Sequence, residues 1–151
     1  MELPGARTEW TLTPEQSAAG IPAGFGHQID LFNRYTGRWM RYQRQNHGIN
    51  IGWVVGPVGQ WTFHRQSGAA GPIRYDEPLA LHNSQAGFVK YQSREYGINL
   101  NWSASPAYEW VIKGAVTGTV GSAPVGLFNT RQNDFVVFCH REYGTPLRWA
   151  R

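Results

Sequence analysis

Short runs of alternating apolar and polar residues recur along the chain and predict β-strands. In the segment GINIGW, Ile49, Ile51 and Trp53 fall on one face of a strand and Asn50 falls on the other, because successive side chains point to opposite faces. Clusters of glycine, proline, asparagine and serine separate these runs and are typical of turns. No window of ten or more residues has a clean helical period. The pattern therefore predicts an all-β protein of about twelve short strands.

A block of fourteen residues occurs three times. Its copies are MRYQRQNHGINIGW at 40–53, VKYQSREYGINLNW at 89–102 and VVFCHREYGTPLRW at 136–149. Two shorter blocks precede each copy in the same order, and they read EWTL, QWTF and EWVI, then LFN, LHN and LFN. We interpret the whole chain, 1–151, as one domain of three four-stranded repeats, 1–57, 58–106 and 107–151.

A four-stranded unit of about 50 residues buries too little apolar surface to fold alone, so the three repeats are expected to share a core. In this repeat architecture the chain resembles the β-trefoil superfamily, whose members have three four-stranded repeats that form a barrel capped by hairpins. The resemblance implies a lectin-like fold, with a β-prism as the structural alternative. The Gln-x-Trp signature of ricin-type trefoil lectins is missing, since Ile51, Leu100 and Leu147 stand two residues before the repeated tryptophans. The family within the superfamily is therefore left open.

Composition and charge narrow the function classes. The chain has 151 residues and a net charge of +4, and its basic residues form no run of the kind that nucleic-acid binders use. Its apolar runs are shorter than the ~20 residues of a membrane-spanning helix. No signal peptide is visible, so the expected location is cytoplasmic, or outside the cell by a route without a signal peptide. The single Cys139 allows no internal disulfide.

Residues with catalytic or metal-binding patterns are few. Cys139 and His140 are neighbours on a predicted strand and point to opposite faces, so they do not form a nucleophile and base pair. The five histidines have no spacing typical of metal ligands. We therefore expect no enzymatic activity, no catalytic residue, no metal and no cofactor.

Several repeated residues are expected to be structural. The repeated tryptophans Trp10, Trp61 and Trp110 are expected to pack where units join. The glycine before the last strand of each unit is expected to adopt a positive φ at the turn, and these glycines are Gly48, Gly97 and Gly144. The asparagine after the second strand has two interpretations, an Asx turn or a contact to a sugar hydroxyl, and its copies are Asn33, Asn83 and Asn129.

The residues before the repeated glycines are the candidate ligand contacts. Units two and three read Arg-Glu-Tyr-Gly, and aromatic faces suit the apolar face of a sugar ring. The alternative is a local surface ion pair between arginine and glutamate. We predict pockets in which an asparagine meets the aromatic residue of the same unit, and binding at two sites, in units two and three. The predicted contacts are Asn83, Arg94, Glu95 and Tyr96, Asn129, Arg141, Glu142 and Tyr143, and, more weakly, Asn33 and His47.

The resemblance to β-trefoils, many of which bind glycans, implies a carbohydrate-binding module with glycans or glycoconjugates as partners. The three-fold β architecture, the aromatic content and the lack of catalytic groups also favour this function. The alternative is a protein-binding trefoil, such as a protease inhibitor or the partner-recognition domain of a toxin or effector, acting through loops 65–78 or 113–126. The two differ in symmetry, because sugar sites of a repeat lectin recur between units whereas an inhibitor uses one asymmetric loop.

Overall fold

The structure, a computed structural model, describes residues 7–13, 20–114 and 118–151. In these ranges the chain forms strands, turns and loops and no helix, so the prediction of an all-β protein is confirmed. Residues 115–117 of the predicted loop 113–126 lie outside the described residues. The described strands are β1 (Trp10–Thr13), β2 (Asp30–Asn33), β3 (Arg38–Tyr42), β4 (Ile51–Val54), β5 (Trp61–Arg65), β6 (Leu79–Asn83), β7 (Gly87–Tyr91), β8 (Leu100–Ser103), β9 (Trp110–Lys113), β10 (Gly126–Asn129), β11 (Asp134–Phe138) and β12 (Leu147–Trp149).

The strands of each predicted repeat form an antiparallel meander with a repeated register. The order is β1-β2-β3-β4 in the first repeat, and β5 to β8 and β9 to β12 pair in the same way. In each repeat the first-strand tryptophan lies opposite the second-strand asparagine, and these pairs are Trp10–Asn33, Trp61–Asn83 and Trp110–Asn129. The three blocks found in the sequence therefore occupy equivalent places in three four-stranded meanders, which are called units below.

Bridges between the units link them in a cycle. In the described ranges β1 to β4 form a four-stranded sheet, and the other strands form an eight-stranded sheet. The first-strand tryptophan of each unit also pairs with a residue of the preceding unit in this cycle. That residue either begins the second strand of its unit or directly precedes it. These bridges are Trp61 to Ile29, Trp110 to Leu79 and Trp10 to Val125. The first unit is thereby joined to the third, as well as the second to the first and the third to the second.

The same tryptophans join the units through their indole groups. Trp61 Nε1 donates to the carbonyl of Met40, Trp110 Nε1 to that of Val89, and Trp10 Nε1 to that of Val136, at 2.8 to 3.0 Å. Each bond runs from one unit to the third strand of the preceding unit, and each indole is almost completely buried. The prediction that these residues pack where units join is confirmed.

The core lies where the three units meet. Equivalent apolar residues from the third and fourth strands of all units are buried together, because one face of each strand is apolar. Their side chains surround one small internal void together with Leu81, Leu127 and Trp110. The repeated residues in this layer are Met40, Val89 and Val136, and Ile51, Leu100 and Leu147.

Candidate functional site

The three repeated asparagines are fully buried and form turns. The side-chain oxygen of Asn83 accepts a hydrogen bond from the backbone N–H of Gln85, at 2.9 Å. The oxygens of Asn33 and Asn129 do the same for the backbone N–H groups two and three residues further on. All three side chains are 0 % exposed. The Asx-turn interpretation is confirmed, and the structure does not bring these asparagines to the candidate pocket described below.

The amide nitrogens of these asparagines reveal a bridge that the sequence analysis missed. Asn83 Nδ2 donates to Gln60 Oε1 at 3.2 Å, and the same oxygen accepts the backbone N–H of Tyr42 from the first unit at 3.0 Å. Glu9 and Glu109 bind their own asparagine and the third strand of the preceding unit in the same way. The sequence signal for this bridge was the polar residue that directly precedes each repeated first-strand tryptophan. This residue links two units through its hydrogen bonds.

The turns before the last strands of the three units surround the same pocket, which has a volume of about 810 Å³. The φ angles of its three glycines are 75°, 78° and 88°. These values lie in the left-handed region, so the prediction of a positive φ at these turns is confirmed. The pocket is lined by Asn46, His47 and Gly48 from the first unit, Arg94, Glu95, Tyr96 and Gly97 from the second, and Arg141, Tyr143, Gly144 and Thr145 from the third.

This arrangement differs from the predicted one. The sequence analysis assigned a separate pocket to each unit, whereas the structure brings the aromatic residues of all three units to one place. His47 lies edge-on to Tyr143, with 6.1 Å between the ring centroids. Tyr96 and Tyr143 are 79 % and 72 % exposed, so both rings are open to a ligand. Glu142 lines the adjoining pocket and not this one.

The third unit departs from the pattern after its glycine, where Thr145 and Pro146 replace isoleucine and asparagine. The Thr145 hydroxyl is buried and donates to the carbonyl of Ile49 in the first unit, at 2.7 Å. Gly48 allows this approach, because a Cβ atom there would lie 2.6 Å from the Thr145 Oγ1. The third unit is therefore joined directly to the first through Thr145, a residue that lines the pocket.

A smaller adjoining pocket of about 260 Å³ lies between the first and third units. It shares Arg141 and Gly144 with the larger pocket and is lined by the aromatic side chains of Trp53 and Phe138. Gly52, another of its residues, stands where the other units have the larger Asn101 and Arg148. This pocket therefore involves a residue that the repeat does not keep.

The arginines of the larger pocket differ in their bonding. Arg141 donates from Nε and Nη2 to the carbonyl of Leu147, at 3.4 and 3.2 Å. Gln45, which is equivalent in the first unit, donates from Nε2 to the carbonyl of Ile51 at 3.0 Å. The Arg94 side chain has no hydrogen-bond or ion-pair partner in the described part of the chain, and its Nε is buried. The alternative of a local ion pair with Glu95 is therefore not observed.

A second aromatic cluster, also missed by the sequence analysis, lies around two histidines. The ring centroids of His64 and His82 are 6.0 Å apart, and both rings contact Phe25 and Phe88. Thr62 Oγ1 lies 2.8 Å from His64 Nε2. Burial lowers the pKa of both histidines below 6.5, and the nearby charge of His82 lowers the pKa of His64 further. The cluster therefore favours neutral imidazoles.

The described residues contain neither a cluster of metal ligands nor a membrane-spanning helix. Among them no group of three or more histidine, cysteine or acidic side chains is placed to hold a metal ion. The same residues contain no helix with the length and apolar character needed to cross a membrane. Cys139 is a free, half-buried thiol whose sulfur lies 3.7 Å from the carbonyl of His140.

Comparisons with known proteins gave no match. No family model, no curated protein and no solved structure matched the chain.

Proposed function

We propose that this chain is a carbohydrate-binding module without catalytic activity, with a β-trefoil fold and a glycan-binding site in the pocket that the three units share. The fold proposal is supported by three meanders with the same register and by bridges that link the units in a cycle. The equivalent indole bonds of the three units support it further.

The observation that carries the functional proposal is the pair of exposed tyrosines in a pocket that also contains charged side chains. Tyr96 and Tyr143 offer aromatic faces for the apolar C–H face of a sugar. A sugar hydroxyl both donates and accepts hydrogen bonds. In this pocket Glu95 can accept from such hydroxyls and Arg94 can donate to them. A volume of about 810 Å³ also lies within the range of about 300–1,000 Å³ that ligand pockets have.

The geometry revises the expected stoichiometry. Two sites were predicted from the sequence, one in each Arg-Glu-Tyr-Gly unit. Because Tyr96 and Tyr143 line the same pocket, one glycan would contact both. The adjoining pocket, which shares Arg141, would add a subsite beside Trp53 for a glycan of more than one sugar residue. We therefore expect one glycan per chain.

A glycan array identifies the ligand, and isothermal titration then gives its affinity and stoichiometry. Tyr96→Ala should weaken binding by on the order of 5- to 30-fold, as expected for an exposed aromatic contact. Tyr35→Ala is the matched control, because Tyr35 is 77 % exposed and lines neither pocket. Both variants should unfold at the wild-type temperature. Equal losses in the two variants, or two glycans per chain, would contradict the proposal.

One observation favours protein binding as a second candidate. The loop after β5 is held from inside by Arg65, which binds Glu77 at 2.5 Å and donates to the carbonyls of Ala69, Ala70 and Pro72. Residues 66–70 are all exposed on this loop. A loop fixed in one conformation loses little entropy on binding a protein. A proteolysis-inhibition assay in which Arg65→Ala abolishes inhibition and Tyr96→Ala does not would support this function.

A further inference from the structure

Arg94 is the unusual member of a set of three equivalent side chains. In the first and third units the equivalent residues, Gln45 and Arg141, donate to the backbone carbonyl at the start of the last strand. The corresponding carbonyl in the second unit belongs to Leu100, and Arg94 does not bind it in the described structure. Arg94 lines the shared pocket instead, and its guanidinium has no hydrogen-bond or ion-pair partner among the described residues.

The Nε–H of Arg94 is buried and has no hydrogen-bond partner among the described residues. A buried donor without a partner is destabilising. The side chain has several rotatable bonds, so it can turn toward an incoming group and satisfy that donor. A guanidinium presents five N–H donors in a planar fork, which matches the two oxygens of a carboxylate or sulfate.

The charges around the pocket also favour an anionic ligand. Two arginines, Arg94 and Arg141, line it against one carboxylate, that of Glu95. The equivalent of Glu95 in the first unit is the neutral Asn46, and in the third unit it is Glu142, which lines the adjoining pocket. Only one of the three equivalent positions therefore contributes a carboxylate to this pocket. The two arginines outnumber it, so the side chains that line the pocket have a net positive charge.

We propose that the glycan bound in this pocket is acidic, and that Arg94 binds its carboxylate or sulfate group. This inference rests on the proposed function and names the class of sugar. The aromatic faces of Tyr96 and Tyr143 pack against the sugar ring, and the Arg94 guanidinium binds its anionic group. A neutral sugar offers the Arg94 guanidinium only hydroxyl oxygens, whereas an acidic sugar gives it a charge-assisted hydrogen bond.

The test uses pairs of probes in which one member is acidic and the other is neutral. Isothermal titration compares oligogalacturonate with its methyl ester, and a sulfated carrageenan hexasaccharide, which has no carboxylate, with its desulfated form. The acidic member of at least one pair should bind about tenfold or more tightly than its neutral partner, with a preference that shrinks as salt is added. The carboxylate and sulfate arms identify which oxyanion is bound, and inorganic phosphate alone is titrated as a third arm.

Variants separate a specific contact from the general charge of the protein. Arg94→Gln should abolish the preference for the acidic probe, because the glutamine amide can donate to hydroxyls of either probe but carries no charge. Arg38→Gln removes the same charge from an exposed arginine that lines neither pocket, so it should keep the preference. Arg94→Lys should bind the acidic probe with intermediate affinity, because lysine keeps the charge and loses the planar fork.

The outcomes distinguish this inference from the proposed function. Equal affinity of the wild-type protein for acidic and neutral probes would overturn the inference and leave a neutral-glycan module. An equal loss of preference in Arg94→Gln and Arg38→Gln would also overturn it, because the effect would then be one of net charge. Failure of the wild-type protein to bind any glycan would overturn the proposed function itself. Phosphate that binds as tightly as the acidic glycans would support an oxyanion site and overturn its selectivity for sugars.

Discussion

Replacing Asn83 with alanine tests whether the repeated asparagines hold turns or contact a ligand. The change removes two hydrogen bonds, from Asn83 Nδ2 to Gln60 Oε1 at 3.2 Å and from the N–H of Gln85 to Asn83 Oδ1 at 2.9 Å. Water does not reach the site, since the side chain is completely buried. Gln60 keeps the backbone N–H of Tyr42, so the bridge to the first unit is weakened and not lost.

The expected loss follows from these contacts. A hydrogen bond contributes about 1 kcal/mol net. Two such bonds are lost, so Asn83→Ala should lower the free energy of unfolding by about 1–3 kcal/mol. Domains of this kind have a total stability of about 5–15 kcal/mol, so the effect is large. Urea denaturation followed by tryptophan fluorescence measures it.

The control is Asn46→Ala, because Asn46 is exposed and lines the pocket. It should change the stability by less than about 0.5 kcal/mol. The equivalent changes at Asn33 and Asn129 should resemble Asn83→Ala, since these side chains have the same contacts. The reasoning would be refuted if Asn83→Ala were as stable as wild type, or if it lost glycan binding at unchanged stability.

Two further predictions concern the turns and the histidine cluster. Gly48→Ala should destabilise the protein more than Gly97→Ala in the same denaturation assay. Their φ angles of 75° and 78° impose similar strain, but a Cβ at Gly48 would lie 2.6 Å from Thr145 Oγ1 and one at Gly97 meets nothing within 4 Å. Equal losses would show that the contact with Thr145 is unimportant. Because the pKa values of His64 and His82 are lowered in the folded state, the unfolded chain binds more protons below pH 6.5. The free energy of unfolding should therefore fall as the pH is lowered from 7 to 5, and the double change His64→Gln and His82→Gln should flatten this dependence, whereas a parallel profile would contradict it.

The local features of this protein could be predicted from its sequence. Alternation of apolar and polar residues identified the strands, because a strand that is buried on one face needs that period. The repeat made each weak signal occur three times, so the positive φ of the repeated glycines and the presence of a shared core could be predicted. The turns at Asn33, Asn83 and Asn129 follow from asparagine's ability to bind the backbone two residues on.

The site was decided only by the packing of the units against one another. The sequence assigned Tyr96 and Tyr143 to separate pockets, because a repeat shows what recurs and not where the copies meet. The bridging role of Glu9 was hidden for the same reason, since its contact with the N–H of Phe138 joins residues 129 positions apart. Gln45 and Arg141 bind the carbonyl at the start of the last strand, and Arg94 does not. This difference depends on contacts in three dimensions. Local chemistry therefore determined the strands and turns, and contacts between residues far apart in the sequence determined the pocket.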